Sequence, residues 1–415
     1  MIRGRIALPF LLLALLVVTA CRTAGPAPSG PVPTDAMRSL MQREDVARGM
    51  AAIDADREAI VTQWRTITEI PSPSGQEGKR ADAIEALLKS YGLQNVHRDS
   101  VGNVIGVRPG TGGGKRVVFD AHMDTVFAID TNVTTRIENG KLYAPGVGDD
   151  TRNIIALLAM IRALNAAKIS TKGDLTFVFT VEEETSFRGA DAFLKDHAKE
   201  IDRYVALDGG FNGFTYGGTG IYWHRYHIIG PGGHTRSDTP PYSATLPLAR
   251  AVQRLYALKV PKTSWLNVGM LGGADVFNAK AADAWMSVDL RSTVESELHG
   301  LDATIQKIVS EEAARAGMTM KRDQVSIEEV ASLPGHRNSE MVHTAEAVYR
   351  AFGLDPSITN TASNHTSAAI RAGIPAIGMG AGDCEGSHGL HENCDIATIF
   401  PGIQRTLVLA VALSE

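Results

Sequence analysis

The apolar run "VVFDAHMDTV", residues 117–126, ends with His122 and Asp124. If the strand continues, residues two apart point the same way, so the Asp124 carboxylate can fix the His122 tautomer and raise its basicity as a metal ligand. Asp149, in "GVGDDTRN" just before a helix, can share its two oxygens between two metal ions. Glu182, Glu183 and Glu184 close another buried strand, where three adjacent carboxylates are costly unless cations or protons compensate. Each motif alone has a plainer use: H-x-D as a surface loop, "DD" as a helix cap, "EEE" as a solvated turn. Their weight comes from order, since each follows its own strand and "ALDGG", with Asp208, follows a third.

Those strands need a frame. "REAIVTQWRTITEI" and "EGKRADAIEALLKSYG" place apolar residues at helical spacing, and Gly92 stops the second. "RVVFDA", "DLTFVFTVEE" and "RYVALDGG" read as buried strands, separated by helices over "RNIIALLAMIRALNAA" and "GADAFLKDHAKE". This alternation predicts an α/β fold with a mostly parallel sheet and helices on both faces. In such sheets ligands collect at the carboxyl ends of strands, where the acidic motifs fall. Residues 219–330 change pattern: strand, helix, two strands, helix, strand. That order predicts a small α+β two-layer domain inserted into the larger one. The larger domain then comprises 51–218 and 331–415.

The chain has 415 residues, is 44% hydrophobic and carries a formal charge of -5. It can bury a substantial core, and it has no basic footprint for nucleic acid or an anionic membrane surface. The start is a targeting signal: "MIRGR" supplies positive charge, "IALPFLLLALLVV" is a short apolar run, and "VTAC" ends it at Cys21. Residues 1–21 resemble a bacterial lipoprotein signal, with lipid on Cys21 as the only membrane attachment. Arg22 gives no aspartate-type inner-membrane retention signal, which favours an outer-membrane lipoprotein facing the periplasm. The Pro/Gly/Ser-rich sequence that follows predicts a flexible tether, assigned to 22–50. Export leaves Cys384 and Cys394 as an even pair around "EGSHGLHEN", either bridged or as two free thiols.

The succession "AHMDTV", "GVGDD", "TVEEETSFRGA", "ALDGG", "GPGGHTR" and "SHGLHEN" resembles the co-catalytic zinc aminoacyl hydrolases that include peptidase T, carboxypeptidase G and aminoacylase. The resemblance runs from about residue 55 to the C-terminus. It implies that His122, Asp149 and Asp208 hold one zinc ion, with Asp149 bridging to a second held by Glu184 and His388; cobalt or manganese would suit the same donors. It makes Glu183 the general base toward a metal-bridging water, keeps Asp124 as the support of His122, and marks Asp149-Asp150 as a candidate cis peptide.

By the same resemblance the inserted domain is a lid or dimerisation domain. His234 takes the place of a histidine that reaches a neighbouring subunit's site and stabilises the oxyanion, allowing a homodimer. Arg291 matches a position that binds a substrate carboxylate, and Asn267 a polar lid position near substrate. His391, close to His388, is a candidate for substrate or for supporting the metal. Asn364 and His365 depart from the family's usual Gly-Thr-Asp or Ser-Thr-Asp segment. Asp208 in place of glutamate favours a peptidase T-like exopeptidase acting on short peptides. Two other readings stay open: an N-acyl amino-acid amidohydrolase or carboxypeptidase with the same centre, and a lipid-anchored peptide-binding protein without turnover.

Overall fold

A computed structural model describes residues 31–236 and 242–415. The signal segment, Cys21 and the first part of the expected tether lie outside the described residues. The later part of that tether is corrected by the structure. Thr34–Gln42 and Glu44–Ala55 are helices, with Val46, Gly49 and Ile53 buried. They pack against Glu340–Ala351 and Ile396–Leu413, so the folded body starts well before residue 51. Their apolar residues form a narrow stripe, and Glu44–Ala55 also packs on Thr151–Ala166.

The body is built on a sheet whose central strands, in spatial order, are Leu175–Thr180, Val117–His122, Arg203–Leu207 and Ala376–Met379, all parallel. Antiparallel pairing begins at Val104–Arg108 on one side and Gly213–Thr215 on the other. All six residues of Val117–His122 are buried, as a strand covered on both faces requires. One cover is formed by Arg57–Thr68, Thr151–Ala166 and Ile396–Leu413, the other by Arg188–His197 and His365–Arg371. Ile396–Leu413 is long and apolar enough to cross a membrane, yet two-thirds of it is buried in this body.

The segment between the two parts of the body carries a sheet of its own. Gly220–Ile229, Asp283–Ser292, Thr319–Glu328 and Ser264–Asn267 form an antiparallel sheet. Helices Thr245–Tyr256 and Glu295–Arg315 pack on one face, over Tyr222, Tyr226, Ile228, Met286, Val288 and Leu290. The other face carries the alternate residues of each strand and is left open to solvent, the usual division for an antiparallel sheet. Cys384 and Cys394 face each other across short antiparallel strands and are joined by a disulfide.

Candidate metal centre and active site

Three of the four central strands bring candidate ligands to one edge. Val117–His122 ends on His122, Leu175–Thr180 leads into the turn holding Glu183 and Glu184, and Arg203–Leu207 is followed by Asp208. Asp149 precedes the helix Thr151–Ala166 and is joined to Asp150 by a cis peptide. Ligand atoms of His122, Asp149, Asp150 and Asp208 lie within 4.8 Å of one another, and so do those of Asp149, Glu184 and His388. Asp149 is thus common to both groups. One of its oxygens is 3.1 Å from Nε2 of His122 and the other 3.3 Å from Nε2 of His388.

Hydrogen bonds show which of these groups support and which are available to coordinate. Nδ1 of His122 donates to the Asp124 carbonyl at 3.0 Å. A carbonyl only accepts, so Nδ1 carries a proton, while Nε2 stands against the Asp149 carboxylate and becomes a ligand atom when a cation takes the place of its proton. The Asp124 carboxylate lies 3.3 Å from the same Nδ1 and accepts from the backbone N–H groups of Glu183 and Glu184, at 2.9 and 3.1 Å, and from Ser74. One buried carboxylate therefore sets both the first ligand and the turn that carries the next. That turn starts from Glu182, held in the left-handed region at φ 53°, a conformation found more often at functional sites than in plain turns. Asp150 accepts from the His122 backbone N–H at 3.0 Å and from Asn153 at 2.6 Å, which makes it a prop rather than a ligand.

Sequence reasoning missed Glu392. Its buried carboxylate accepts the backbone N–H groups of Gly146, Gly148 and Asp149, at 2.6, 3.0 and 2.7 Å. It thereby holds the loop that presents the shared aspartate. The same loop lies tight against the disulfide: a Cβ on Gly148 would stand 2.7 Å from Oε1 of Glu392 and 3.1 Å from Sγ of Cys394. Only glycine permits that approach. His388, Glu392 and both cysteines thus belong to one clasp closed over the metal loop. No spacing rule could pair Glu392 with N–H groups nearly 250 residues away.

The electrostatics favour cations. Burial, reinforced by Asp208 and the neighbouring Glu184, pushes the Glu183 carboxyl well above its ordinary range. Burial likewise raises Glu184 to about 7, and raises Asp208 and Asp150. Hydrogen bonding to Asp149, more than any other interaction, lifts His388 to about 9. Burial would raise Asp149 too, but its bonds to His122 and His388 outweigh that and hold it low. Glu184 also keeps one buried oxygen, Oε1, without a hydrogen-bond partner among the described residues. Carboxylates that favour protons, one of them with an unpartnered oxygen, beside imidazoles form a donor set that fits two divalent cations.

Not every expected residue is gathered in. Arg291 lines a cavity of about 230 Å³ together with Glu183 and Glu184. Asn267 lines an adjoining hollow on the inserted sheet, and its Oδ1 accepts from the Tyr256 hydroxyl at 3.5 Å. His234 sits on the exposed strand Gly233–His234, paired with Ala279–Lys280, outside both ligand groups. His391 is exposed in the clasp and is likewise outside them. Asn364 and His365 are buried beneath the centre. Asn364 caps the helix His365–Arg371 and donates to the Asp208 carbonyl at 2.6 Å, while His365 pairs with Asp120 on the His122 strand.

Residues 118–411, well over half of the chain, match the family described as peptidase family M20/M25/M40. The chain belongs to that family. It is a hydrolase of the metallopeptidase type, with a candidate site for paired metals. Carboxypeptidase G2 of Pseudomonas sp. (strain RS-16) is 24% identical over 362 residues, covering 82% of this chain and 85% of that protein. Among solved structures, aminopeptidase PepT from Bacillus cereus has a TM-score of 0.77 at 19% identity, covering 86% of this chain and 99% of its own. A tripeptidase from Staphylococcus aureus has a TM-score of 0.78 at 21% identity, covering 86% and 98%. At these identities the structural likeness is one of fold.

Proposed function

We propose that the protein is an exported, zinc-dependent exopeptidase that hydrolyses short peptides in the manner of an aminopeptidase or tripeptidase. The observation that carries the reading is Asp149, shared between two ligand groups, with Glu183 beside the second group and facing the adjoining cavity. His122, Asp149 and Asp208 would hold one ion and Asp149, Glu184 and His388 the other. Bound there, the ions would acidify a water and polarise the scissile carbonyl. Glu183 takes up the proton of the attacking water at its carboxylate and passes it to the leaving amine. Asp124 orients His122, and Arg291 takes a substrate carboxylate. His234 would complete the oxyanion site from a second subunit through the lid, with Asn267 and His391 at the margins of the substrate. Asp208 at the ligand position and the aminopeptidase and tripeptidase among the structural neighbours support an exopeptidase. The signal-like start and Cys21 support a lipid-anchored periplasmic protein, in the outer membrane where the cell has one.

The carboxypeptidase G2 relative keeps a second reading in view, a carboxypeptidase or N-acyl amino-acid amidohydrolase with the same centre. Metal counting followed by a panel of free-amine peptides and N-acyl amino acids separates the two. Two ions per chain with turnover of free-amine peptides is the expected result. Turnover confined to N-acyl substrates would replace the first reading with the second, and no turnover of either would leave a peptide-binding protein.

A further inference from the structure

The open face of the inserted sheet ends at the catalytic cavity. Alternation along Gly220–Ile229 turns Tyr222 and His224 toward the helices and leaves Trp223 on the open side, 43% exposed. Asp289 lies directly across from Trp223 on one neighbouring strand and Ser326 on the other; Arg291 and Glu328 flank Ile221 in the same way. Trp223, Arg291, Ser326 and Glu328 line the cavity of about 230 Å³ that also contains Glu183 and Glu184. Trp223 also walls the adjoining hollow of about 280 Å³, beside Met270 and Val325. Those two are themselves 52% and 63% exposed, so apolar surface continues outward from the active site. A bulge between Gln324 and Ser326 interrupts the pairing at Val325.

Trp223 is anchored by its polar edge. Its indole N–H donates to Oδ1 of Asp289 at 2.9 Å, and the same oxygen accepts from Nε of Arg291 at 3.0 Å. One carboxylate therefore holds an aromatic surface and a guanidinium as a unit, their nitrogens within about 6 Å of each other. The bond to Arg291 uses Nε, and a carboxylate arriving from solution would take the terminal nitrogens. An amino acid's side chain and terminal carboxylate leave the same Cα, so a cation beside an apolar face reads both at once.

We propose that Trp223 is a specificity-determining residue. Its indole receives the side chain of the residue whose free carboxylate binds Arg291, which selects short peptides ending in an aromatic or large aliphatic residue. Asp289 is the positioning residue for both groups. The inference rests on the exopeptidase reading and adds to it the class of substrate.

The test uses the metal-loaded full chain and peptides identical except for a C-terminal Phe, Leu, Ser or Lys. The expected preference for Phe and Leu over Ser is about tenfold or more in kcat/KM, carried mostly by KM. Trp223→Ala should reduce that ratio to about twofold or less by raising KM on the Phe- and Leu-ended peptides far more than on the Ser-ended one, and Trp223→Phe should restore most of it. Asp289→Asn should weaken both the apolar preference and the discrimination against C-terminal amides, which a merely structural role would not do. Equilibrium binding of the same peptides to metal-loaded Glu183→Gln protein gives the preference without turnover. Binding that discriminates without hydrolysis by the unaltered enzyme supports Trp223 and removes the exopeptidase. Hydrolysis with no C-terminal preference, or an equal loss on all four peptides in Trp223→Ala, overturns the inference and leaves the exopeptidase standing.

Discussion

At the edge of the central sheet, ligands follow strands buried on both faces, and the carboxylates that support them are fixed largely by backbone N–H groups: Asp124 by two, Glu392 by three. On the inserted sheet, Trp223, Asp289 and Arg291 stand on a face open to solvent and hold one another through side chains alone. Backbone donors cannot rotate away, and a donor set for paired metals tolerates little displacement. Side-chain contacts on an open face can be exchanged without disturbing the sheet behind them. With metals proposed for the first region and substrate for the second, damage is expected to have different consequences in each.

The largest contrast should come from Glu183. Glu183→Gln removes the base without removing a ligand and should lower kcat by about three orders of magnitude or more with two ions still bound, counted by elemental analysis. Near-normal turnover would sink the mechanism. Arg291→Ala, on the lid side, should raise KM about tenfold and leave metal content alone. Glu392→Gln comes next. It puts an NH₂ group among three N–H donors and should cost roughly 10- to 100-fold in metal affinity, read by chelator competition. An unchanged affinity would mean that the loop keeps its shape without the clasp.

A third difference concerns pH. Glu184, raised to about 7, and His388, raised to about 9, must each lose a proton before serving as ligands. Metal affinity should therefore fall as pH drops from 9 through 7, by about tenfold per unit for each proton displaced. Calorimetry in two buffers of different ionisation enthalpy counts those protons, and a count of zero would contradict the assignment. The smallest effect is expected from reducing the Cys384–Cys394 bridge under native conditions. The clasp would lose one tie while Glu392 keeps the other, so metal affinity should weaken a few-fold with the fold intact. Affinity indifferent to reduction would make the bridge a tie of the surface only.

The sequence made the ligand set legible because His122, Glu184 and Asp208 each come just after a buried apolar run, and such runs end on one edge of a parallel sheet. The inserted domain was legible from its change of period. Residues 34–50 were not, because the stripe holding Val46, Gly49 and Ile53 is narrow and its partners, Thr151–Ala166 and Ile396–Leu413, are distant in sequence. Glu392 was hidden for a similar reason: its partners are backbone groups, which have no signature in residue type. Asn364 and His365 stood out in the sequence only as a departure from the family's usual segment; the structure uses them beneath the centre, one holding the Asp208 carbonyl and the other pairing with Asp120.

The position of Ala376–Met379 sets when the enzyme can begin to act. That strand lies between Arg203–Leu207 and Gly213–Thr215, which are close in sequence, yet it is synthesised only after the whole inserted domain. Until it docks, the sheet has a gap at its centre, and the clasp with His388 and Glu392 is made later still. Pairing over so long a separation slows folding. A chain still emerging from the ribosome, or cut short before Ala376, has neither a closed sheet nor a complete donor set. Chemistry at the candidate centre thus requires a chain that reaches past His388 and Glu392.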